Sequence, residues 1–262
     1  MTAAWDICIA RADELAAKRD ETGEMLTFYG KLLRAQKDIY DRLRDLKGWL
    51  PSGVIVRDLP FLQKVMPRLL GTVERNGPAL LAEEARMIGK AGPSLFGDAL
   101  VEYWHAPSDA KFFAKAFLQP YARLLAETGE RPPDRDQAGS ENRCPFCGGK
   151  PQLSILQVKE ASAESGGRDM LCSLCLTPWP FLRVVCANCG ENDPARLAYF
   201  HSPDYDHVRI DACETCKHYI KSIDLTRLGF AVPLIDEIAA ASLDLWARER
   251  GYTKIELNLI GL

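Results

Sequence analysis

Four Cys-x-x-Cys pairs in one stretch of the chain constrain its fold more than any other feature. They contain eight of the nine cysteines, as Cys144/Cys147, Cys172/Cys175, Cys186/Cys189 and Cys213/Cys216. An offset of 42 residues separates the first pair from the third, and an offset of 41 separates the second from the fourth. The stretch is therefore one module written twice, each copy consisting of two cysteine knuckles joined by a loop of similar length.

Thiols in equal pairs at this spacing are typical of metal ligands. The chain begins MTAAWDIC, without a basic region followed by an apolar run, so we expect no signal peptide and a cytoplasmic location. No apolar run is long enough to cross a bilayer, and no membrane insertion is expected. In a reducing compartment, repeated pairs favour metal binding over disulfides, and a redox dithiol would need a single pair. Cys8, outside the pairs, is predicted to be a small buried hydrophobic residue.

Two residues between cysteines let both sulfurs of a knuckle face one tetrahedral ion. Zinc, mononuclear iron and iron–sulfur clusters all accept four thiolates, so the spacing does not choose the metal. The histidines His201, His207 and His218 are weaker candidates, because cysteines already supply four ligands to each site. An interleaved arrangement that shares ligands between the copies stays open. The simplest assignment forms one site from Cys144, Cys147, Cys172 and Cys175, and the other from Cys186, Cys189, Cys213 and Cys216.

Strand-like runs lie between the two knuckles of each copy. Residues 153–158 precede a turn at 163–167, and residues 197–201 precede a turn at 202–206. Glycine follows the second cysteine of two knuckles, where a positive φ turns backbone N–H groups toward the sulfurs. Each copy is thus predicted to be knuckle, β-hairpin and knuckle, the zinc-ribbon or rubredoxin-like layout.

Helical periodicity dominates the chain before the cysteines. Apolar residues recur at steps of three and four over Met25–Leu46, which predicts one buried helix face. Pro60 is expected to open a further helix, and Ser108 to cap one that Pro120 bends or divides. The fold class predicted is α+β, with a helical domain over 1–127, a linker over 128–143, rubredoxin-like modules over 144–185 and 186–225, and a C-terminal helix (Pro233–Arg250) and tail within 226–262.

Composition and motifs argue against two classes of function. A site closed by four thiolates has no open position for activating water, and no phosphate loop, His-Glu-x-x-His or Gly-x-Ser-x-Gly motif occurs. We therefore predict no enzyme and no catalytic residue. Residues 144–216 hold six Lys and Arg against nine Asp and Glu, whereas nucleic-acid binders need a basic footprint. A protein partner is favoured over nucleic acid.

The segments around the cysteines resemble the formate dehydrogenase accessory protein FdhE family over 144–262, while the N-terminal helices match only in length and character. The family likeness departs at Trp179-Pro180, where Trp-His is expected, and this leaves the metal sites untouched. The residues that carry it are Cys144-Pro-Phe-Cys-Gly, Leu171-Cys-Ser-Leu-Cys, Trp179, Arg183, Cys186-Ala-Asn-Cys-Gly, the run from Val208-Arg-Ile-Asp-Ala-Cys to Lys221, Asp236-Glu-Ile-Ala, Leu243-Asp-Leu-Trp, Glu249-Arg-Gly-Tyr and Asn258.

The resemblance implies a cytoplasmic factor needed for active respiratory formate dehydrogenase. It would act on the catalytic subunit, which carries molybdopterin and selenocysteine, before or during export. The family is associated with iron in rubredoxin-like sites, so two metal ions are implied, with iron favoured over zinc. All eight paired cysteines carry over as ligands.

Three hypotheses follow. The first is a non-enzymatic assembly factor or chaperone, in which metal-stabilised ribbons form a surface that docks on the client enzyme. The second is a rubredoxin-like electron-transfer or redox-sensing iron protein. The third is a zinc-ribbon nucleic-acid binder, which the charge count disfavours. The sequence leaves the oligomeric state open, a homo-oligomer included.

Overall fold

The computed structural model describes residues 2–18, 21–129, 131–135, 141–158 and 167–262. The chain divides into two compact units, Met1–Gln137 and Ala138–Leu262. This division falls inside the segment 128–143, predicted as a linker, of which residues 130 and 136–140 lie outside the described residues.

The first unit is built from helices around a central α2, which packs against α1, α4 and α7. Leu26, Leu32 and Ile39 of α2 are fully buried, so the periodicity over Met25–Leu46 correctly predicted this helix and its inner face. None of the helices described anywhere in the chain is long and apolar enough to span a membrane. The helices of this unit are α1 (Thr2–Lys18), α2 (Gly23–Arg44), α3 (Ile55–Leu62), α4 (Met66–Asn76), α5 (Ala79–Ala91), α6 (Pro93–His105) and α7 (Phe112–Thr128).

Two helix starts in this unit differ from the prediction. The helix expected to open at Pro60 begins at Ile55, whose backbone N–H donates to Asp134 Oδ2 at 2.8 Å. That carboxylate, distant in sequence, supplies the partner that the first turn lacks locally. Ser108 does not cap α7, because its hydroxyl accepts from the N–H of Ala110 in a preceding turn. The helix runs unbroken through Pro120.

The second unit is organised on a single sheet, which has seven strands among the described residues. Six of them form a continuous path in the order β3-β2-β1-β6-β5-β4, and β7 pairs with β6. The strands are β1 (Pro151–Gln157), β2 (Gly167–Cys172), β3 (Pro178–Phe181), β4 (Leu197–His201), β5 (Val208–Cys213), β6 (His218–Asp224) and β7 (Thr253–Lys254).

Each predicted module is a three-stranded antiparallel meander. The expected hairpins are present as β1/β2 and β4/β5, and a third strand, β3 or β6, follows the second knuckle. Residues 163–166 of the first predicted turn lie outside the described residues. The two meanders join through a parallel pairing of β1 with β6, from Leu153↔Lys221 to Leu156↔Asp224. The modules therefore share one sheet.

The predicted C-terminal helix is two helices, α8 (Pro233–Ala239) and α9 (Ala241–Glu249). They are joined at Ala240, which has φ −99° and ψ 41°. Lys221 Nζ donates to the main-chain oxygens of Glu237 and, at 3.4 Å, Ala240. Those carbonyls bind a buried ammonium, and the helical ladder is interrupted at this point.

The two faces of β5 and β6 have different surroundings. Alternate residues of these strands, including Val208, Ile210 and Tyr219, form a buried apolar cluster with Leu243 and Ala247 of α9. The intervening residues point to the opposite face. The helices therefore cover one side of the second module, and the other side carries Arg209, Asp211 and Ser222 together with the buried Ile220.

Candidate metal centres

The first cysteine cluster collects four buried sulfurs from both ends of the first meander. Cys144 and Cys147 precede β1, Cys172 ends β2, and Cys175 lies in the turn before β3. The four sulfurs lie within 4.8 Å of one another. Two of the Sγ–Sγ distances are 3.6 Å, for Cys144 and Cys175, and 3.4 Å, for Cys147 and Cys172.

The second cluster repeats this arrangement in a more open setting. Cys186 and Cys189 precede β4, Cys213 ends β5, and Cys216 lies in the turn before β6. Its Sγ–Sγ distances are 3.7 Å, for Cys186 and Cys216, and 3.8 Å, for Cys189 and Cys213. Cys189 is exposed and Cys216 is partly exposed, so solvent reaches this cluster and not the first.

The geometry of both clusters fits a tetrahedral ion. Metal–sulfur bonds of about 2.3 Å place the sulfurs of a tetrahedron about 3.8 Å apart, close to the distances in both clusters. The sequence had left an interleaved arrangement open, whereas the structure groups the sulfurs as two sets, one from each module. Zinc and mononuclear iron both suit such a site.

The backbone of all four knuckles turns in the same way. The residue after the second cysteine has a positive φ in each: 69° at Gly148, 57° at Leu176, 78° at Gly190 and 55° at Lys217. The prediction made from the two glycines is confirmed, and two non-glycine residues adopt the same conformation. Backbone N–H groups between the two cysteines of a knuckle also contact sulfur. The N–H of Leu174 donates to Cys172 Sγ and that of Asn188 to Cys186 Sγ, both at 3.4 Å. Such N–H groups stabilise thiolates.

Gly149 is a second requirement of the first cluster that the sequence analysis missed. A Cβ at this position would lie 2.8 Å from Cys172 Sγ and 3.4 Å from Cys147 Sγ. Any side chain would enter the space of the ligand atoms. The Gly148-Gly149 pair after Cys147 is the sequence feature from which this requirement could have been predicted.

Several thiols of the two clusters have pKa values shifted from the ordinary thiol value. Hydrogen bonds from Cys147, Cys172 and Cys175 hold the pKa of Cys144 well below its usual range, whereas burial raises the pKa of Cys172 and Cys175. In the second cluster, burial opposes ionisation of Cys216, but hydrogen bonds outweigh it and lower its pKa to about 7. A bound cation would stabilise the thiolate form of all four cysteines in a cluster.

The three histidines near the second module have other partners. His207 Nε2 lies 2.9 Å from Asp236 Oδ1 at the start of α8. His218 Nδ1 lies 2.7 Å from the main-chain oxygen of Cys216, and the exposed His201 packs edge-on against Tyr199. Among the described residues, both groups that could hold a metal ion consist of cysteines alone.

Arg168 links the two modules, a role that the sequence analysis did not assign. Its buried guanidinium donates to the main-chain oxygens of Leu182, Arg183 and Val185 in the connection between the modules. It also lies 3.3 Å from Asp211 Oδ2 on β5. The connection and the second module are thus held by one side chain of the first module.

A second buried network joins the sheet to the C-terminal helices. The side chains of Lys221, Lys254, Glu237 and Asp244 are fully buried and pair with one another, with 3.3 Å between Lys221 Nζ and Glu237 Oε1 and 3.2 Å between Lys254 Nζ and Asp244 Oδ1. Asn258 Nδ2 donates to Glu237 Oε2 at 2.9 Å. Burial opposes ionisation of Asp244, but the two lysines hold its pKa below the usual value. Lys221, a lysine within the apolar run of β6, is the sequence feature from which this buried network could have been predicted.

Comparisons with known proteins find one group of similar proteins, with similarity along nearly the whole chain. Family models match residues 143–183, described as "FdhE, central domain", and residues 184–260, described as "FdhE, C-terminal domain". The chain is 30% identical to "Protein FdhE homolog" of Aquifex aeolicus over 98% of this chain and 95% of that protein. It is also 30% identical to the homologue of Pseudomonas putida, over 98% of this chain and 86% of that protein.

A solved structure shares the fold. The crystal structure of the FdhE protein from Pseudomonas aeruginosa matches with a TM-score of 0.69 and 22% sequence identity. The match covers 99% of this chain and 96% of that one. The similarity therefore includes the helical first unit, for which the sequence alone gave only a general resemblance.

Proposed function

Because the chain belongs to the FdhE family, we propose that it is an assembly factor for respiratory formate dehydrogenase that acts on the catalytic subunit of that enzyme. Its likeness to FdhE homologues along nearly its whole length supports an accessory role for formate dehydrogenase in general. The choice of the catalytic subunit as client, and of the cytoplasm as the place of action, follows from the resemblance around the cysteines.

The observation that carries this proposal is the pair of four-sulfur clusters in one sheet. Each cluster would hold one metal ion, ligated by the four cysteines of its own module. Such a site has no open coordination position, which favours a structural or electron-carrying role over catalysis at the metal. The resemblance favours iron over zinc. The ions would fix the knuckles and so stabilise the surface that docks on the client.

Reciprocal co-purification with the formate dehydrogenase catalytic subunit tests the proposal. We expect the intact chain to retain the subunit, and Cys147→Ser to lose the metal ion of the first cluster together with the association. Cys8→Ala is the matched control, since it removes a cysteine outside both clusters. Absence of association, together with normal formate dehydrogenase activity after deletion of this chain, would refute the proposal.

A redox role for iron is the second candidate, and the exposure of Cys189 and Cys216 favours it. A rubredoxin-type centre near solvent can exchange electrons with a partner, whereas a deeply buried one is insulated. Anaerobically purified protein should then show thiolate-to-iron absorption that bleaches reversibly on reduction, and Cys189→Ser should abolish the component of the second cluster. A colourless protein with two zinc ions would exclude this role.

A further inference from the structure

The two ends of the sheet in the second unit differ in the backbone groups that they present. Among the described strands, β3 lies at one end and pairs only with β2, and β4 lies at the other end and pairs only with β5. An edge strand exposes a row of N–H and C=O groups with which another strand can pair. The sequence of each edge strand decides whether that row is complete.

Prolines interrupt the row on β3. The N–H of Cys172 donates to the main-chain oxygen of Thr177 at 3.1 Å. Residues bonded to the partner strand alternate in an antiparallel pair, which assigns the backbone groups of Trp179 to β2. Those of Pro178 and Pro180 therefore point to the outer edge. A proline has no N–H, so β3 offers no donor there and resists the addition of a strand.

The row on β4 has no such interruption. The N–H of Glu214 donates to the main-chain oxygen of Arg196 at 2.9 Å, so the same alternation directs the backbone groups of Phe200 toward β5. The N–H and C=O groups of Tyr199 and His201 therefore point to the outer edge. The side chains of both residues are exposed. This edge of the sheet is open to another strand.

The first module shows what covers an edge of this kind. Its strand β1 is the counterpart of β4, because each follows the first knuckle of its module and pairs with the strand that ends in the third cysteine, Cys172 or Cys213. The outer edge of β1 carries β6, which runs parallel to it. An extended segment parallel to the edge strand is thus the occupant that the protein itself uses.

The backbone groups of β1 that bind β6 correspond to those that β4 leaves open. When the two hairpins are aligned on their third cysteines, Ser154 matches Tyr199 and Leu156 matches His201. The N–H of Leu225 donates to the main-chain oxygen of Leu156 at 2.9 Å, which shows that this alternate set of residues faces β6. The outer edge of β4 repeats a surface that is already known to hold a parallel strand.

We propose that this edge binds an extended segment of another protein, which adds to the sheet parallel to β4 as β6 adds to β1. In that register, the residue beside Phe200 takes the place that Ile223 takes beside Ile155. Ile223 is fully buried in the apolar cluster of the second module, and Phe200 packs at the margin of the same cluster, with 4.7 Å between its ring centroid and that of Trp246. The partner segment therefore carries an apolar residue at this position.

A second copy of this chain fits the edge less well. The strand that covers β1 is the third strand of a module, and the third strand at the other end of the sheet is β3. Because Pro178 and Pro180 remove its outward donors, β3 cannot continue the sheet onto β4 of another copy. Pairing of β4 with its own copy about a two-fold axis perpendicular to the sheet would be antiparallel, unlike the internal junction.

A peptide with the sequence of β6 tests the proposal, since β6 covers the equivalent edge. The probe is the acetylated and amidated segment Tyr219–Leu225, YIKSIDL, titrated into the full chain loaded with zinc and labelled with ¹⁵N. We expect saturable shifts of the backbone amide resonances of Tyr199 and His201, and slower hydrogen exchange at both amides.

N-methylation of the peptide separates strand addition from unspecific apolar contact. Methyl groups at the positions of Ile223 and Leu225 remove the N–H groups that would pair with β4, and should weaken binding at least about tenfold, the scale of a lost backbone hydrogen bond. Methyl groups at the positions of Ser222 and Asp224 lie on the other edge of the peptide and should leave binding unchanged. The two peptides are matched in composition.

Substitution of Tyr199 closes the edge in the way that β3 is closed. Tyr199→Pro removes an outward N–H without removing a hydrogen bond to β5, and should weaken binding of the peptide about tenfold. Tyr199→Val keeps the N–H and should bind as the wild type does. If Tyr199→Pro does not fold, His201→Pro near the end of the strand carries the same test.

Equal binding of the two N-methylated peptides, or no saturable shift at the amides of β4, would overturn the proposal. Dimerisation of the full chain that Tyr199→Pro abolishes would also overturn it, because the edge would then belong to a second copy. The peptides contain no formate dehydrogenase, so a negative result leaves the proposed client association to its own test.

Discussion

The guanidinium of Arg168 on β2 reaches the carboxylate of Asp211 on β5, with 3.3 Å between Nη2 and Oδ2, across the two strands that lie between them. On the two intervening strands, Ser154 of β1 and Ser222 of β6 are register partners in the parallel pairing, and their hydroxyls hydrogen-bond to each other. Ser222 also donates to Asp211. A polar row therefore crosses the junction of the two modules on one face of the sheet.

This row predicts that Arg168 is a stability determinant of the second unit. Arg168→Gln removes one partner of a buried ion pair and leaves three carbonyl oxygens without their donor. We expect the free energy of unfolding to fall by about 3 kcal/mol, the lower end for breaking a buried pair, because Arg209 still faces Asp211. Urea unfolding of metal-loaded protein measures it. The exposed Arg196→Gln is the control, and equal stability of the two variants would show that the row is not structural.

The sequence predicted the grouping of the eight cysteines into two sets of four because the constraints on that grouping are local. Two residues between ligands, a following glycine and an in-register repeat limit each knuckle to a few backbone conformations, which the structure confirms at Gly148 and Gly190. The hairpins followed from short-range patterning. The pairing of β1 with β6 joins residues about seventy positions apart, and no local pattern encodes such a contact.

The same limit explains the errors at the ends of helices. Asp134 supports the start of α3 from a distant part of the sequence, so the helix begins earlier than the prolines suggest. The break at Ala240 depends on Lys221, a residue of β6, which binds the carbonyls that the break releases. Propensity describes what a segment prefers alone, and these contacts override it.

The difference in exposure between the clusters predicts an order of metal loss. All four cysteines of the first cluster are buried, whereas Cys189 of the second is exposed and Cys216 partly so. A chelator such as EDTA should remove one equivalent of metal in a fast phase and the other slowly, as followed by metal analysis over time. Cys189→Ser should bind one ion and retain only the slow phase. Retention of only the fast phase in that variant would reverse the assignment.

The positive φ of Gly190 predicts a cost for any side chain there. At φ 78°, Gly190→Ala should lose about 1 kcal/mol of stability, because a Cβ strains the left-handed conformation. The nearest atom to that Cβ is Asn142 Nδ2 at 4.0 Å, so steric clash does not contribute. Gly89→Ala in α5, where φ is not positive and the Cβ meets nothing, should instead stabilise the protein by about 0.5 kcal/mol. Equilibrium unfolding should give opposite signs for the two changes.

The buried network of Lys221, Lys254, Glu237 and Asp244 predicts that substitution of Glu237 strongly lowers the stability of the protein. Its carboxylate faces Lys221 and Lys254 and accepts from Asn258, so Glu237→Gln leaves buried ammonium groups with one carboxylate fewer. We expect a loss of about 3 kcal/mol in unfolding free energy and faster proteolysis of the segment after Gly251. Glu249→Gln, at the exposed end of α9, is the matched control. Unchanged proteolysis in the Glu237 variant would show that the network does not hold this segment.

Cys8 predicts a pH dependence in the first unit. Burial raises the pKa of Cys8 to about 11 from an ordinary value of 9.0, with Arg123 opposing the shift weakly. The folded state keeps the thiol protonated while the unfolded chain ionises, so the unfolded state binds fewer protons in this window and stability falls as the pH rises above 9. From pH 8 to pH 10, the wild-type protein should lose about 1 kcal/mol more than Cys8→Ala. Denaturant unfolding followed by helical circular dichroism at each pH measures the difference, and parallel profiles for the two proteins would show that the thiol does not titrate as its burial requires.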